Sequence, residues 1–209
     1  MASESSSTVE SNGYMVGSKT KFTLDLDDVM IFPDNEHIPV LPPSPEESWV
    51  ILGEVLNQPG AHRGGYGYGF GVQDKGTDRF PVIFATPDSQ KDAYRYKIGD
   101  ILCIFNGTIA DFRPGIGFIV NDNTKTSKLP CNFATLRRLF AQLRADSKAG
   151  EFGDACSVCK SRENLLRCGK CGTRYCSRTC QKEDWEQHGH REECRVLRTL
   201  IRWNRKEWW

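Results

Sequence analysis

Seven cysteines and two histidines near the C-terminus have the spacing of metal ligands. They run as Cys-x2-Cys, Cys-x2-Cys and Cys-x3-Cys, followed by a choice of histidine and a last cysteine: Cys156, Cys159, Cys168, Cys171, Cys176, Cys180, His188 or His190, and Cys194. Tetrahedral Zn²⁺ takes four ligands of these types, at about 2.3 Å from sulfur and about 2.1 Å from nitrogen. Eight ligands therefore predict two closed zinc sites. Because no position is left for water, we expect structural rather than hydrolytic metal.

The spacing leaves the histidine ligand open between two candidates. Seven residues separate His188 from Cys180, and three residues separate His190 from Cys194. We favour His190, because residues at i and i+4 share one helix face and can bind one ion without distortion. His188 would then be an ordinary exposed histidine.

The run from Cys156 to Cys194 resembles a MYND zinc finger along almost its whole length. It covers about 39 of the 209 residues, and the matching features beside the cysteines are Leu165-Leu166, Arg174-Tyr175-Cys176 and Cys180-Gln181-x2-Asp184-Trp185. A RING-type finger is a rival, but it places a histidine where Tyr175-Cys176 stands. The resemblance implies interleaved ligation, with Cys156, Cys159, Cys176 and Cys180 on one zinc and Cys168, Cys171, one histidine and Cys194 on the other.

The resemblance also implies a partner and a binding site. Members of this family bind short proline-containing peptides, often Pro-x-Leu-x-Pro, extended beside a short strand. Gln181 and Trp185 match the peptide-contacting positions. A tryptophan offers a flat apolar platform for proline, and a glutamine amide can bond the peptide backbone. The alternative is that Trp185 only covers the zinc-bound core. Residues 39–43, Pro-Val-Leu-Pro-Pro, fit the same motif, so we consider docking of this segment on the chain's own finger.

The charge is distributed unevenly along the chain. Residues 1–46 carry two basic and eight acidic residues, residues 47–128 carry nine of each, and residues 129–209 carry seventeen basic and ten acidic. The positive charge of residues 129–209 suits acidic partners, but it is smaller than the charge expected of a nucleic-acid-binding surface. The sequence shows neither a signal segment nor an apolar run near 18 residues, so we expect a nuclear or cytoplasmic protein that is not secreted.

The remaining sequence predicts a mixed fold with three parts. Residues 1–46 read as a disordered acidic and proline-rich arm. Residues 47–147 read as a small OB-like β-barrel, with strands at Trp49–Leu56, Gly69–Gln73, Phe80–Thr86, Ile101–Asp111 and Gly117–Asn121, and a short helix or ordered loop over 87–98. An amphipathic helix over Asn132–Asp146 follows. Residues 153–209 comprise the finger and a helical extension whose apolar stripe packs on the finger or on the barrel.

Two binding functions follow from these parts, and catalysis is not expected. The favoured one is an adaptor with two recognition surfaces and no catalysis, since the sequence outside the finger has neither a His-x-Asp metal-binding triad nor a phosphate-binding glycine loop after a strand. The alternative is single-stranded nucleic-acid binding by the OB-like domain, with Tyr66, Tyr68 and Phe70 stacking on bases, although its neutral charge argues against this. A β-domain before a terminal finger is similar to the architecture of fungal MYND proteins.

Overall fold

The computed structural model describes residues 21–38, 48–113 and 115–207. Within these ranges, single 3-10 turns lie at Asn35–His37 and Asn123–Lys125. The strands and helices are β1 (Val50–Val55), β2 (Gly60–Ala61), β3 (Tyr68–Gln73), β4 (Arg79–Phe84), α1 (Ser89–Ala93), β5 (Ile101–Phe105), β6 (Thr108–Phe112), β7 (Gly115–Val120), β8 (Thr126–Leu129), α2 (Phe133–Lys148), β9 (Leu166–Arg167), β10 (Arg174–Tyr175), α3 (Arg178–Gln187) and α4 (His190–Asn204).

The first eight strands form one sheet that closes into an OB-like barrel. Strand β1 pairs antiparallel with β3, β3 pairs with β4, and β4 runs parallel to β7. Strand β7 pairs with β6, and β5 returns to β1. Only Asn106 and Gly107 separate β5 from β6, so the two halves act as one bent strand and the ring is complete. This pairing confirms the predicted OB-like class.

Asn106 produces the bend in that strand. Its backbone adopts a positive φ of 48°, and its side-chain Oδ1 accepts a hydrogen bond from the backbone N–H of Trp49. The backbone N–H of Asn106 in turn donates to the carbonyl of Trp49. The predicted strand Ile101–Asp111 is therefore interrupted, because its two halves pair with different neighbours on the two sides of the bend.

Alternating apolar residues fill the barrel interior. Phe80, Val82 and Phe84 of β4 are buried there with Phe118 and Val120 of β7. A second core covers the outer face of β1, β5 and β8, where Val50, Leu52, Ile101, Cys103 and Phe105 meet helices α2 and α4. The barrel thus has an apolar face on both sides of its central strands, which explains their near-continuous apolar sequence.

Helix α2 forms where the sequence predicts it. The side chain of Asn132 accepts a hydrogen bond from the backbone N–H of Thr135 and so caps the helix. Leu136, Phe140 and Leu143 are buried in the outer core, as their helical spacing indicates. The helix covers one side of the barrel.

The expectation of a disordered arm is wrong for residues 21–38. Phe22, Leu24, Leu26 and Phe32 are buried in the outer core at 6% exposure or less. The alternating run packs against α2 and α4, a surface that exists only in the folded chain. Residues 1–20 and 39–46 lie outside the described residues, so self-docking of residues 39–43 stays a prediction.

Helix α4 joins the finger to the barrel. Val196, Leu200 and Trp203 are buried in the outer core together with Phe32 and Phe105. The predicted stripe therefore packs on the barrel, and the finger shares a core with it. No helix within the described ranges has the length and apolar character needed to cross a membrane.

Candidate metal centre

Cys156, Cys159, Cys176 and Cys180 form the first ligand cluster. Their Sγ atoms are separated by 3.3 Å for Cys159 and Cys176, 3.6 Å for Cys176 and Cys180, and 3.9 Å for Cys159 and Cys180. A tetrahedral zinc with Zn–S bonds of about 2.3 Å has S···S edges of about 3.8 Å. The four sulfurs therefore fit a zinc ion.

Helix α3 positions the last member of this cluster. Ser177 is its N-cap, and the Ser177 Oγ accepts the backbone N–H of Cys180 at 3.2 Å. Cys176 directly follows β10, so the strand and the first helical turn bring two thiols to one ion. The sequence step Tyr-Cys-Ser-x-x-Cys accounts for this local geometry.

Cys168, Cys171, His190 and Cys194 form the second cluster, and all four are buried. The Sγ atoms of Cys168 and Cys194 are 3.8 Å apart, and the Sγ of Cys171 lies 3.5 Å from the Nε2 of His190. A mixed sulfur–nitrogen edge of a zinc tetrahedron is about 3.6 Å. The second donor set therefore also fits zinc.

A tight turn and a helix end build this second cluster. Gly172 adopts a φ of +86° and donates its N–H to the carbonyl of Cys168, which closes the turn between the two cysteines. His190 and Cys194 lie one turn apart at the start of α4. The metal thus links the β9–β10 ribbon to the helix that packs on the barrel.

The structure separates the two candidate histidines. His190 is 3% exposed and lies in the second cluster. His188 ends α3, its side chain is 52% exposed, and its Nε2 lies 3.4 Å from a carboxylate oxygen of Glu183. Gly189, which lies between them with a φ of +84°, turns the chain, so that the two imidazole rings point in different directions.

Asp184 and Tyr175 support the histidine ligand. The Tyr175 hydroxyl donates to Asp184 Oδ2 at 2.6 Å, and His190 Nδ1 lies 3.5 Å from the same oxygen. A carboxylate on Nδ1 fixes the ring and leaves Nε2 for metal. Both residues belong to the motifs that resemble a MYND finger, but those motifs alone do not indicate this role. The sequence feature that could have indicated this role is Asp184 itself, a carboxylate on the preceding helix six residues before His190.

The local electrostatics favour a thiolate at one cysteine of each cluster, Cys156 and Cys168. Burial raises the pKa of Cys156, but hydrogen bonds from the backbone N–H groups of Cys159, Cys176 and Val158 outweigh it and lower that pKa to about 6. Burial of Cys168 is likewise outweighed, by the backbone of Cys171 and by the His190 side chain, so that its pKa is also about 6. The thiolate is the form that binds zinc.

Together the two clusters describe structural zinc. Each cluster contributes four protein ligands, which fills a tetrahedral coordination sphere. The finger's own apolar core consists largely of the ligands, Tyr175 and partly buried neighbours such as Leu165 and Trp185. The finger holds two zinc ions, and their bonds supply the stability that so small a core lacks.

Gln181 and Trp185 lie one turn apart on α3, and Trp185 lies beside the second cluster. The Trp185 ring packs 5.9 Å from the His190 ring and is only partly buried. Lys170 Nζ lies 6.0 Å from the Trp185 ring centroid. The Gln181 side chain is partly exposed, and no hydrogen bond engages it within the described part of the chain.

The three aromatics considered for base stacking have different environments. Phe70 is 4% exposed inside the barrel, so it cannot stack on a ligand. Tyr68 is partly buried against the same core, whereas Tyr66 is 69% exposed. His62 bridges the β2–β3 loop to the end of β6, with ring centroids 6.0 Å from Tyr66 and 6.1 Å from Phe112. The sequence did not indicate that His62 and Phe112 belong to this aromatic group, because they are 50 positions apart and meet only in the folded chain.

Comparison with known proteins identifies the finger. The family model of the MYND finger (zf-MYND) matches residues 156–194. No curated protein matches the chain. A chain in the crystal structure of the S. pombe Stn1–Ten1 complex is similar at a TM-score of 0.32 and 19% identity, over 49% of this chain and 76% of that chain. Residues 156–194, with their two four-ligand clusters, are a MYND zinc finger.

Proposed function

We propose that this protein is an adaptor whose finger binds short proline-containing peptides of the Pro-x-Leu-x-Pro type. The observation that carries the proposal is the partly exposed Trp185 ring, which packs against His190 of the second zinc site. The zinc ion then stabilises the binding surface indirectly, because it binds His190, against which the Trp185 ring packs. A rigid aromatic surface is well suited to proline.

Two further features support a peptide beside Trp185. Gln181 lies one helical turn away and has an amide free to bond a peptide backbone. Strand β9 pairs with β10 on one side, and among the described residues its other edge has no strand partner. An extended peptide can add to such an edge by backbone hydrogen bonds, with its side chains read by the neighbouring helix. Leu166 on β9 is 46% exposed and adds apolar surface.

Calorimetric titration with a Pro-x-Leu-x-Pro peptide tests this proposal. We expect Trp185→Ala and Gln181→Ala each to weaken binding by roughly tenfold or more, since aromatic anchors dominate such interfaces. Lys182→Ala, an exposed change on the same helix, is the matched control and should bind like the wild type. Zinc content is measured for every variant. Binding that survives Trp185→Ala with two zinc ions retained would refute the proposal.

We further propose that the protein has no catalytic activity and acts in the nucleus or cytoplasm. Complete four-ligand clusters support the first part, because no coordination position is open to a substrate. None of the nine cysteines, all of them in the described residues, forms a disulfide bond, and zinc thiolates persist best where thiols stay reduced, which supports the second part.

Self-docking of residues 39–43 is a variant of the same proposal. The segment fits the motif and lies in the acidic half of the chain, opposite in charge to the finger end. Leu41→Ala should then shift finger amide signals in heteronuclear NMR spectra. Unchanged spectra would exclude docking in cis.

A second candidate function is binding of single-stranded nucleic acid by the barrel. The exposed Tyr66, stacked against His62 beside Phe112, supports it, and Arg63 and Arg113 are exposed in the same two loops. Bases stack on exposed aromatics with about 1–3 kcal/mol each. Tyr66→Ala should therefore lower the affinity for a labelled oligothymidylate by roughly tenfold, with Tyr94→Ala, another exposed tyrosine, as the control. Absence of salt-dependent binding by the wild type would end this candidate.

A further inference from the structure

A cleft of about 420 Å³ separates the finger from helices α2 and α4. Its volume lies in the usual range of ligand sites, about 300–1,000 Å³. The floor is apolar, and the side chains that form it come from α2, the following loop and α4: Leu143, Phe152, Leu197 and Ile201. Such a floor favours an occupant that carries apolar groups.

Three arginines line the same cleft. Arg167 and Arg174 come from the two strands of the finger, and Arg205 follows the end of α4. In the described part of the chain, none of the three guanidinium groups forms an ion pair or a hydrogen bond to a protein acceptor. Guanidinium groups bind carboxylates through two parallel hydrogen bonds, so each is a ready partner for an anion.

The placement of two of these arginines is unfavourable for the isolated protein. Arg167 and Arg174 are direct cross-strand partners of the β9–β10 ribbon. Like charges in such positions destabilise a strand pair. An anion between them would relieve this repulsion.

The acidic residues of the cleft are already engaged or peripheral. Lys160 Nζ lies 2.9 Å from Asp146 and 3.0 Å from Glu151, so these three charges form their own network. Asp154 also lines the cleft, but among the described residues it makes no ion pair with Arg174. The arginine end of the cleft therefore keeps an excess of positive charge.

We propose that this cleft binds an acidic segment of a partner protein, with apolar side chains on the floor and carboxylates against Arg167, Arg174 and Arg205. An apolar floor bordered by cations complements an amphipathic acidic peptide in both shape and charge. A small inorganic anion would use the arginines and leave the floor uncovered.

This site is distinct from the one proposed around Trp185. Cross-strand partners share one face of a ribbon, and successive residues point to opposite faces. Tyr175 faces α3, where its hydroxyl meets Asp184, so Arg174 and its partner Arg167 face the other way. The finger can therefore engage a proline motif on one face and an acidic segment on the other.

Selection from a random peptide library on the zinc-loaded full chain tests the proposal. Enriched peptides are then measured by fluorescence anisotropy against three proteins. These are the Arg167→Gln/Arg174→Gln variant, the matched Arg162→Gln/Arg198→Gln variant, which removes two exposed arginines elsewhere, and Trp185→Ala. Zinc content and circular dichroism establish that each variant is folded.

The proposal requires a set of acidic peptides that lose at least about tenfold in affinity in the Arg167→Gln/Arg174→Gln variant, the loss expected for desolvated charge pairs. The same peptides should bind the control variant and Trp185→Ala like the wild type. Three results would overturn it: no acidic enrichment, equal losses in the control variant, or loss in Trp185→Ala. Failure here leaves the proline-peptide proposal intact, because that depends on Trp185.

Two other occupants are distinguished by the same proteins. If deletion of residues 1–20, which contain Glu4 and Glu10, is needed before acidic peptides bind, the cleft belongs to the chain's own N-terminal segment. Self-association by sedimentation that disappears in the Arg167→Gln/Arg174→Gln variant would assign it to a second copy. Either result would overturn the partner proposal.

Discussion

Replacing Trp203 by alanine should destabilise the barrel and the finger together. Trp203 is 2% exposed in the core beneath α4. Its ring lies 6.0 Å from the rings of Phe32 and Phe105, one from the N-terminal segment and one from β5. The same helix carries His190 and Cys194 at its start, so a single element connects the zinc site to the barrel core.

The expected loss of stability follows from the volume of the buried Trp203 side chain. Truncation of a buried tryptophan to alanine costs about 3–5 kcal/mol of the free energy of unfolding. For a domain of this size each kcal/mol shifts Tm by about 2–4 °C, so Trp203→Ala should lower it by roughly 6–20 °C. The assay is thermal unfolding of the zinc-saturated chain, followed by circular dichroism and by a chromophoric zinc chelator in the same scan.

We expect unfolding and zinc release to shift to lower temperature together. Trp185→Ala is the matched control, because Trp185 is only partly buried in the finger's own core and its loss should lower Tm by less than the loss of Trp203. Two separate transitions, of which Trp203→Ala moves only the zinc-releasing one, would refute the idea of a shared core.

Three further predictions concern single contacts. Asp184→Asn should weaken the second zinc site by roughly 10–100-fold, since the carboxylate orients His190, and an unchanged affinity in chelator competition would contradict that role. Asn204 bonds Lys21 O, Thr23 N and Leu24 N, so Asn204→Ala should cost about 2 kcal/mol and speed amide exchange at Thr23 and Leu24; unchanged exchange rates would show that the contact is not formed. Burial raises the pKa of Cys103 and of Cys131 to about 12. Both thiols therefore stay protonated below that pH, and iodoacetamide should not label them at pH 8 in the zinc-loaded protein; rapid labelling of either would disagree.

The features that the sequence predicts correctly are those that depend on the spacing of nearby residues. The cysteine pairs, the strand periods and the Asn132 cap each depend on residues a few positions apart, and they lie where the sequence places them. Strand β8 was missed because Thr126–Leu129 has too short and too polar a pattern to separate it from a loop. The bend at Asn106 was missed because it follows from which neighbours each half-strand meets.

Long-range contacts explain the remaining differences. The alternating N-terminal run was assigned to the disordered arm, yet Asn204 holds it at Thr23 from 181 positions away. The choice between His188 and His190 depended on Gly189, whose left-handed backbone directs only the second histidine to the cluster. The three arginines of the cleft meet only through the ribbon register and the docking of α4, which spacing along the chain does not reveal.

The zinc content of the purified chain is the decisive measurement for the two-cluster finger. Inductively coupled plasma mass spectrometry, with protein quantified by amino-acid analysis, should give two zinc ions per chain, one for each cluster. His190→Ala should lower the value towards one, while His188→Ala should leave it at two. A wild-type value clearly below two, or a loss of zinc in His188→Ala alone, would contradict the two-cluster finger on which the proposed functions depend.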